Sequence, residues 1–136
     1  MNRQSIDRLI VLLVAIENAA KDIHYACSGS NFYGNHLLAD RISDGIDDFL
    51  DQLKETCLLG HNFQPLLSAI YLKQASDIIP IAPNFASLKE LMVKCLIELE
   101  HIDGVARGDS KLLDDIGCQI QNNIGLLNVM QGESHV

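Results

Sequence analysis

The chain has 136 residues and a mass of 15.0 kDa, enough for one well-buried core and too little for two ordinary domains, so a single domain over residues 1–136 is expected. Hydrophobic residues make up 48% and charged residues 21%, with no Trp and three Pro, which excludes a disordered chain and favours an aliphatic all-α protein over a β-sandwich. A net charge of -8 without any Lys/Arg cluster opposes binding to nucleic acid or an anionic membrane and attracts cations instead.

The first predicted helix runs from Ser5 to Cys27, with Ile6, Leu9, Leu13, Ile16, Ala20, Ile23 and Cys27 on one stripe. Ile10, Val11, Leu12 and Val14 widen that stripe, so more than one neighbour should cover it. Its segment LIVLLVAI, Leu9 to Ile16, is too short to span a bilayer, and its spacing continues past Glu17 as a working helix would. A mature, cytoplasmic chain is expected. The break SGSN, Ser28 to Asn31, turns the chain into an antiparallel second helix, Phe32 to Leu58, whose core stripe is Leu38, Ile42, Ile46, Phe49, Leu53 and Cys57.

A structured crossover follows, with the short amphipathic segment LLSAIYLKQA and the Pro-marked stretch IIPIAPNF. The capping box Ser87-Leu88-Lys89-Glu90 then starts a third helix bearing Leu88, Leu91, Cys95, Leu99 and Ile102. Gly104 and Gly108 punctuate the turn into a fourth, capped near Asp109 or Ser110 and carrying Leu113, Ile116, Ile120, Ile124 and Leu127. Two hairpins joined by one long connection predict an all-α, ferritin-like four-helix bundle with a short helix in the crossover. The four cysteines, Cys27, Cys57, Cys95 and Cys118, form no CxxC and are read as small apolar residues in a reducing compartment. His61 and His135 are read as surface residues.

The outer face of the second helix carries the chemistry. His36, Asp40, Asp51 and Glu55 fall within roughly 100° of arc, almost opposite the core stripe. A solvated helix face is ordinarily rich in Asp and Glu, so this arc alone is compatible with plain surface. The spacings say more. His24 and His36 lie at similar distances either side of the turn, so the hairpin brings them level, with Asp40 one turn further on; two imidazoles and a carboxylate can converge there. Mixed His/carboxylate ligation suits iron or zinc. Asp51 and Glu55 lie about 22 Å down the same helix and cannot complete that site within one chain. Yet His36 and Glu55 are equidistant from the midpoint between Gly45 and Ile46, and so are Asp40 and Asp51. Two copies of this helix packed antiparallel about a two-fold axis would therefore place Asp51 and Glu55 of each chain opposite His36 and Asp40 of the other, building two equivalent sites.

The series His24, His36, Asp40, Asp51, Glu55, with gaps of 12, 4, 11 and 4, resembles the ferroxidase motif of the Dps mini-ferritins. The resemblance covers most of the chain. It implies a homo-oligomer of two-fold dimers closed into a hollow dodecamer, in which Fe²⁺ is oxidised by hydrogen peroxide or dioxygen at the dimer interfaces and stored as ferric mineral, protecting against oxidative damage. It also implies that His24, His36 and Asp40 come from one subunit and Asp51 and Glu55 from its mate, with zinc as a surrogate for iron. Asp109, Asp114 and Asp115 would either line a pore or complement the helix dipole.

Four features depart from the family pattern. Tyr25 stands where an oxidisable Trp is usual, and Thr56 where an Arg usually follows the last Glu. Asp44 and Asp47 are also symmetric about the same midpoint, so they would repel across the axis unless the helices splay, a proton is shared or another cation binds. The Lys-rich tail by which some Dps proteins hold DNA is missing, and no DNA binding is expected. Two rivals stand beside this reading: an intrasubunit di-iron site using Glu98 and His101 on the third helix, and a cage or metal-binding bundle without turnover.

Overall fold

The computed structural model describes residues 2–103 and 105–130; Gly104 and His135, both assigned roles above, lie outside them. Among the described residues the chain is all helical, with no strand. Helix α1, Arg3–Ala26, starts where the Asn2 side chain accepts the Ser5 N–H at 2.8 Å. Its wide apolar face, from Ile6 to Ile23, is buried against α2 (Phe32–Glu55), α3 (Ser68–Ser76) and α4 (Phe85–Glu100). Leu9, Leu13 and Ile16 are fully enclosed, so LIVLLVAI is core. No helix among the described residues is long and apolar enough to cross a membrane. Gly29, at φ 84°, supplies the left-handed turn that reverses the chain into α2.

Helix α2 buries Leu38, Ala39, Ile42, Ile46, Leu50 and Leu53, while Phe49, expected on the core stripe, is only partly covered. Its α-helical winding stops at Glu55, three residues short of the expected end. Thr56–Gly60 continue as a π-helical turn closed by the His61 N–H on the Thr56 carbonyl at 3.2 Å. The crossover is pinned down at several points. Arg3 donates to the Gln64 carbonyl at 2.6 Å and lies over the Phe63 ring. The buried Tyr71 hydroxyl receives the Leu66 N–H at 3.0 Å and donates to Asp7 at 2.7 Å. The Tyr71 hydroxyl thereby pairs a part-buried loop N–H that would otherwise go unsatisfied.

Helix α4 begins at Phe85, earlier than the predicted box. The Asn84 side chain accepts the Ser87 N–H at 2.9 Å, so Asn84 is the cap and Ser87 a first-turn donor. The earlier start puts Phe85 into the core, which a cap at Ser87 would leave outside the helix. The last helix, α5 (Arg107–Met130), buries Leu112, Leu113, Ile116, Ile120 and Leu127 and packs mainly on α4, less on α2. The four long helices therefore run in the order α2, α1, α4, α5 around the bundle, with α3 laid on α1; an Arg8–Glu98 ion pair at 2.7 Å ties α1 to α4. All four thiols are unpaired. Burial pushes Cys95 up to about 12 and Cys57 to about 11, so these two behave as inert apolar residues, while Cys118 is exposed.

Candidate metal centre

His24 lies in the last turn of α1 and His36 near the start of α2, and the hairpin brings their rings face to face. The ring centroids are 3.7 Å apart and the planes differ by 21°. Each imidazole Nδ1 donates to the other residue's backbone carbonyl, His24 to His36 at 3.1 Å and His36 to His24 at 2.9 Å. A carbonyl oxygen only accepts, so both Nδ1 atoms carry hydrogen. In the neutral rings both Nε2 lone pairs are then left free, the tautomer that a metal-ligating histidine needs. The His36 bond also satisfies a carbonyl in the last turn of α1, where helix carbonyls lack intrahelical partners. Phe32 stacks on His36 at 4.9 Å, and the exposed Tyr25 meets the His24 ring edge-on at 5.1 Å.

Asp40 does not join the two imidazoles. Its carboxylate lies 4.0 Å from the Lys21 ammonium, the cation that α1 places at its level. Asp51 and Glu55 are exposed further along α2, Asp51 beside a groove of about 440 Å³ between α1, α2 and α3. Among the described residues no three His, Cys, Asp or Glu side chains gather closely enough to hold a metal ion. The expected convergence of His24, His36 and Asp40 within one chain is thus replaced by a two-imidazole half-site with a Lys-paired carboxylate beside it. Both side chains of that pair are solvated, so the contact is a weak surface one.

Asp47 is engaged within its own chain. The half-buried Glu17 of α1 has its carboxyl raised above the ordinary range, first by burial, then by the charge of Asp47 and a hydrogen bond between the two carboxyls; Lys21 and Lys54 pull the other way. Because folding raises this value, Glu17's contribution to stability is present at acid pH and lost as pH rises through the folded-state value. Gln imitates the protonated acid at every pH. Glu17→Gln is expected to melt above wild type at pH 7, with the gap closing as pH falls towards the ordinary glutamate value of 4.5, as followed by circular dichroism.

His61 is not a free surface residue. Its Nε2 lies 2.7 Å from the Asp109 carboxylate, whose side chain is only 8% exposed, so Asp109 is a buried partner rather than a solvated cap. On α4, Glu98 is held by Arg8, and His101 donates to the Ile97 carbonyl at 2.7 Å, so these two groups are engaged with separate partners. Sequence reasoning passed over Lys21, although the counting that matches His24 with His36 sets Lys21 within one residue of the level of Asp40. No protein-family model matches this chain, and no curated protein matches it either.

Proposed function

We propose that this chain is a ferritin-like protein of the Dps mini-ferritin type, which takes Fe²⁺ as substrate, oxidises it at sites shared between two subunits, and stores the ferric product in a hollow cage. The observation that carries the reading is the His24/His36 pair, whose two Nδ1–H groups are engaged by backbone carbonyls and whose Nε2 atoms are left for a cation. The helix order and the short helix in the long connection support a ferritin-like bundle. On this reading the two imidazoles are half of a site, and a second copy supplies the remaining ligands.

The residues fit this chemistry. Imidazole nitrogen holds Fe²⁺, and hard carboxylate oxygens favour the Fe³⁺ that forms. Lys21 stands beside Asp40 as counter-charge and gives way when a divalent ion arrives. Asp51 and Glu55 of the partner subunit would supply the remaining oxygens. With hydrogen peroxide as oxidant, two Fe²⁺ ions each give up one electron, the O–O bond breaks, and two protons complete two waters; with dioxygen, two Fe²⁺ ions give the same two electrons and two protons are taken up to leave hydrogen peroxide. Aerobic or peroxide-driven addition of Fe²⁺ to the purified protein is expected to give a rising near-ultraviolet absorbance from soluble ferric mineral. Uptake of iron or zinc without that rise would favour a non-catalytic metal-binding bundle, the reading to which Tyr25 in place of Trp lends weight.

A further inference from the structure

Tyr33, Leu37, Asp44, Asp51, Glu55 and Leu59 follow one another along α2 and its π-turn extension at gaps of 4, 7, 7, 4 and 4, so they form one outward stripe, and all six are exposed. Glu55 and Leu59 line the same groove, so the stripe continues through the π turn. Its middle is acidic and its ends are apolar. Within residues 32–60 the exposed large hydrophobics are Phe32, Tyr33, Leu37, Leu58 and Leu59, all in the first two turns or the last one. Phe32 and Leu59 are equidistant from the midpoint between Gly45 and Ile46, and so are Tyr33 and Leu58. These side chains carry no ligand atoms suited to iron, yet they repeat the symmetry of the acidic face.

For a lone chain this placement is unfavourable. Tyr33 is 72% and Leu59 79% exposed, and apolar side chains gathered on one face mark a surface that another molecule covers. A second copy is the occupant that fits. In an antiparallel pair of α2 helices about that midpoint, Tyr33 comes within one residue of the level of the partner's Leu59, and Leu37 within one residue of the partner's Glu55. The exposed fractions of the five residues amount to about 500 Å² of apolar surface per chain. Two chains meeting here therefore bury about 1,000 Å², the size at which an interface becomes specific, before the polar residues between the ends are counted.

We infer that Tyr33 and Leu37 of one chain dock on Leu58 and Leu59 of a second copy, so that an apolar seam closes each end of the contact and walls the cation site beside it. The inference takes from the proposed function the antiparallel pairing of two mates. Apolar contact at the two ends holds the helices together across a middle in which Asp44 and Asp47 carry like charge, and Phe32, stacked on His36, ties the seam to the imidazole pair.

Cross-linking with a short bis-maleimide in the presence of EDTA tests the register without any metal. In a Cys27→Ser/Cys118→Ser background, which leaves only the buried Cys57 and Cys95, the double variant Tyr33→Cys/Leu59→Cys is expected to run as a covalent dimer on denaturing gels. Tyr33→Cys alone is expected to stay uncross-linked, because the two copies of residue 33 lie about 37 Å apart in this pairing. Leu59→Asp, a surface change that leaves the core intact, is expected to raise the dimer dissociation constant at least about 10-fold by sedimentation velocity. No cross-link in the double variant of a chain that sediments as a dimer or larger overturns the seam, and Fe²⁺ oxidation by that chain then decides the proposed function separately. A chain that stays monomeric, or a Tyr33→Cys variant that cross-links to itself, overturns the antiparallel pairing and with it both the seam and the sites shared between mates.

Discussion

Chains carrying His36→Ala, dissociated and reassembled with chains carrying Glu55→Gln, are expected to recover about a quarter of the wild-type rate of Fe²⁺ oxidation, although each variant alone loses at least about 10- to 100-fold. The loss follows from ligand chemistry: His36→Ala removes an imidazole nitrogen, and Glu55→Gln replaces an anionic oxygen donor with a neutral one of the same shape. The recovery follows from symmetry. In a mixed dimer one site inherits both defects and the other inherits neither. Random pairing makes about half of the dimers mixed, each with one intact site of two. Both variants should fold, since His36→Ala unpairs only one helix-end carbonyl near the surface, a cost of about 1 kcal/mol. Stopped-flow absorbance on the remixed protein reads the result. A mixture no faster than the mean of its parents would rule out sites shared between mates, and a fully active Glu55→Gln would remove that residue from the site.

Leu13→Ala is expected to cost about 3–5 kcal/mol, because α1 is the helix that α2, α3 and α4 pack around. Leu13 has no exposed surface, and its stripe is enclosed by α2, α3 and α4, so the cavity left behind has walls from several helices that cannot all move in at once. Against a total stability of roughly 5–15 kcal/mol for a domain of this kind, that is a large fraction. Ile97→Ala on the outer face of α4, where the side chain is 53% exposed, is the control and should change stability by less than about 0.5 kcal/mol. Urea unfolding should show the midpoint of Leu13→Ala falling with little change in slope. Equal midpoints for the two variants would contradict the central place assigned to α1.

The helices were legible in the sequence because periodicity is a local property: a 3-4 spacing of Ile and Leu can bury itself only by coiling with that period. The same holds for part of the site. His24 and His36 could be paired by counting outward from the turn at Ser28–Asn31, since two helices leaving a short turn must run back level with each other; that their rings stack goes with the reciprocal Nδ1–carbonyl bonds of the folded hairpin. The acidic face of α2 and its symmetry about Gly45 and Ile46 are likewise written in the order of residues. What each charged side chain does with its charge was decided by the tertiary structure. Counting can set Lys21 near Asp40, but that its ammonium comes within 4.0 Å of that carboxylate, and that a half-buried Glu17 meets Asp47, depends on how the whole hairpin packs. Asn84 displaces Ser87 as a cap because Phe85 has a core to enter. The π turn after Glu55 has no local signature at all. Its geometry is unfavourable by itself, and the contact that holds it joins His61 to Asp109, 48 residues later, so only a folded chain with α5 already in place can specify where the α-helix ends.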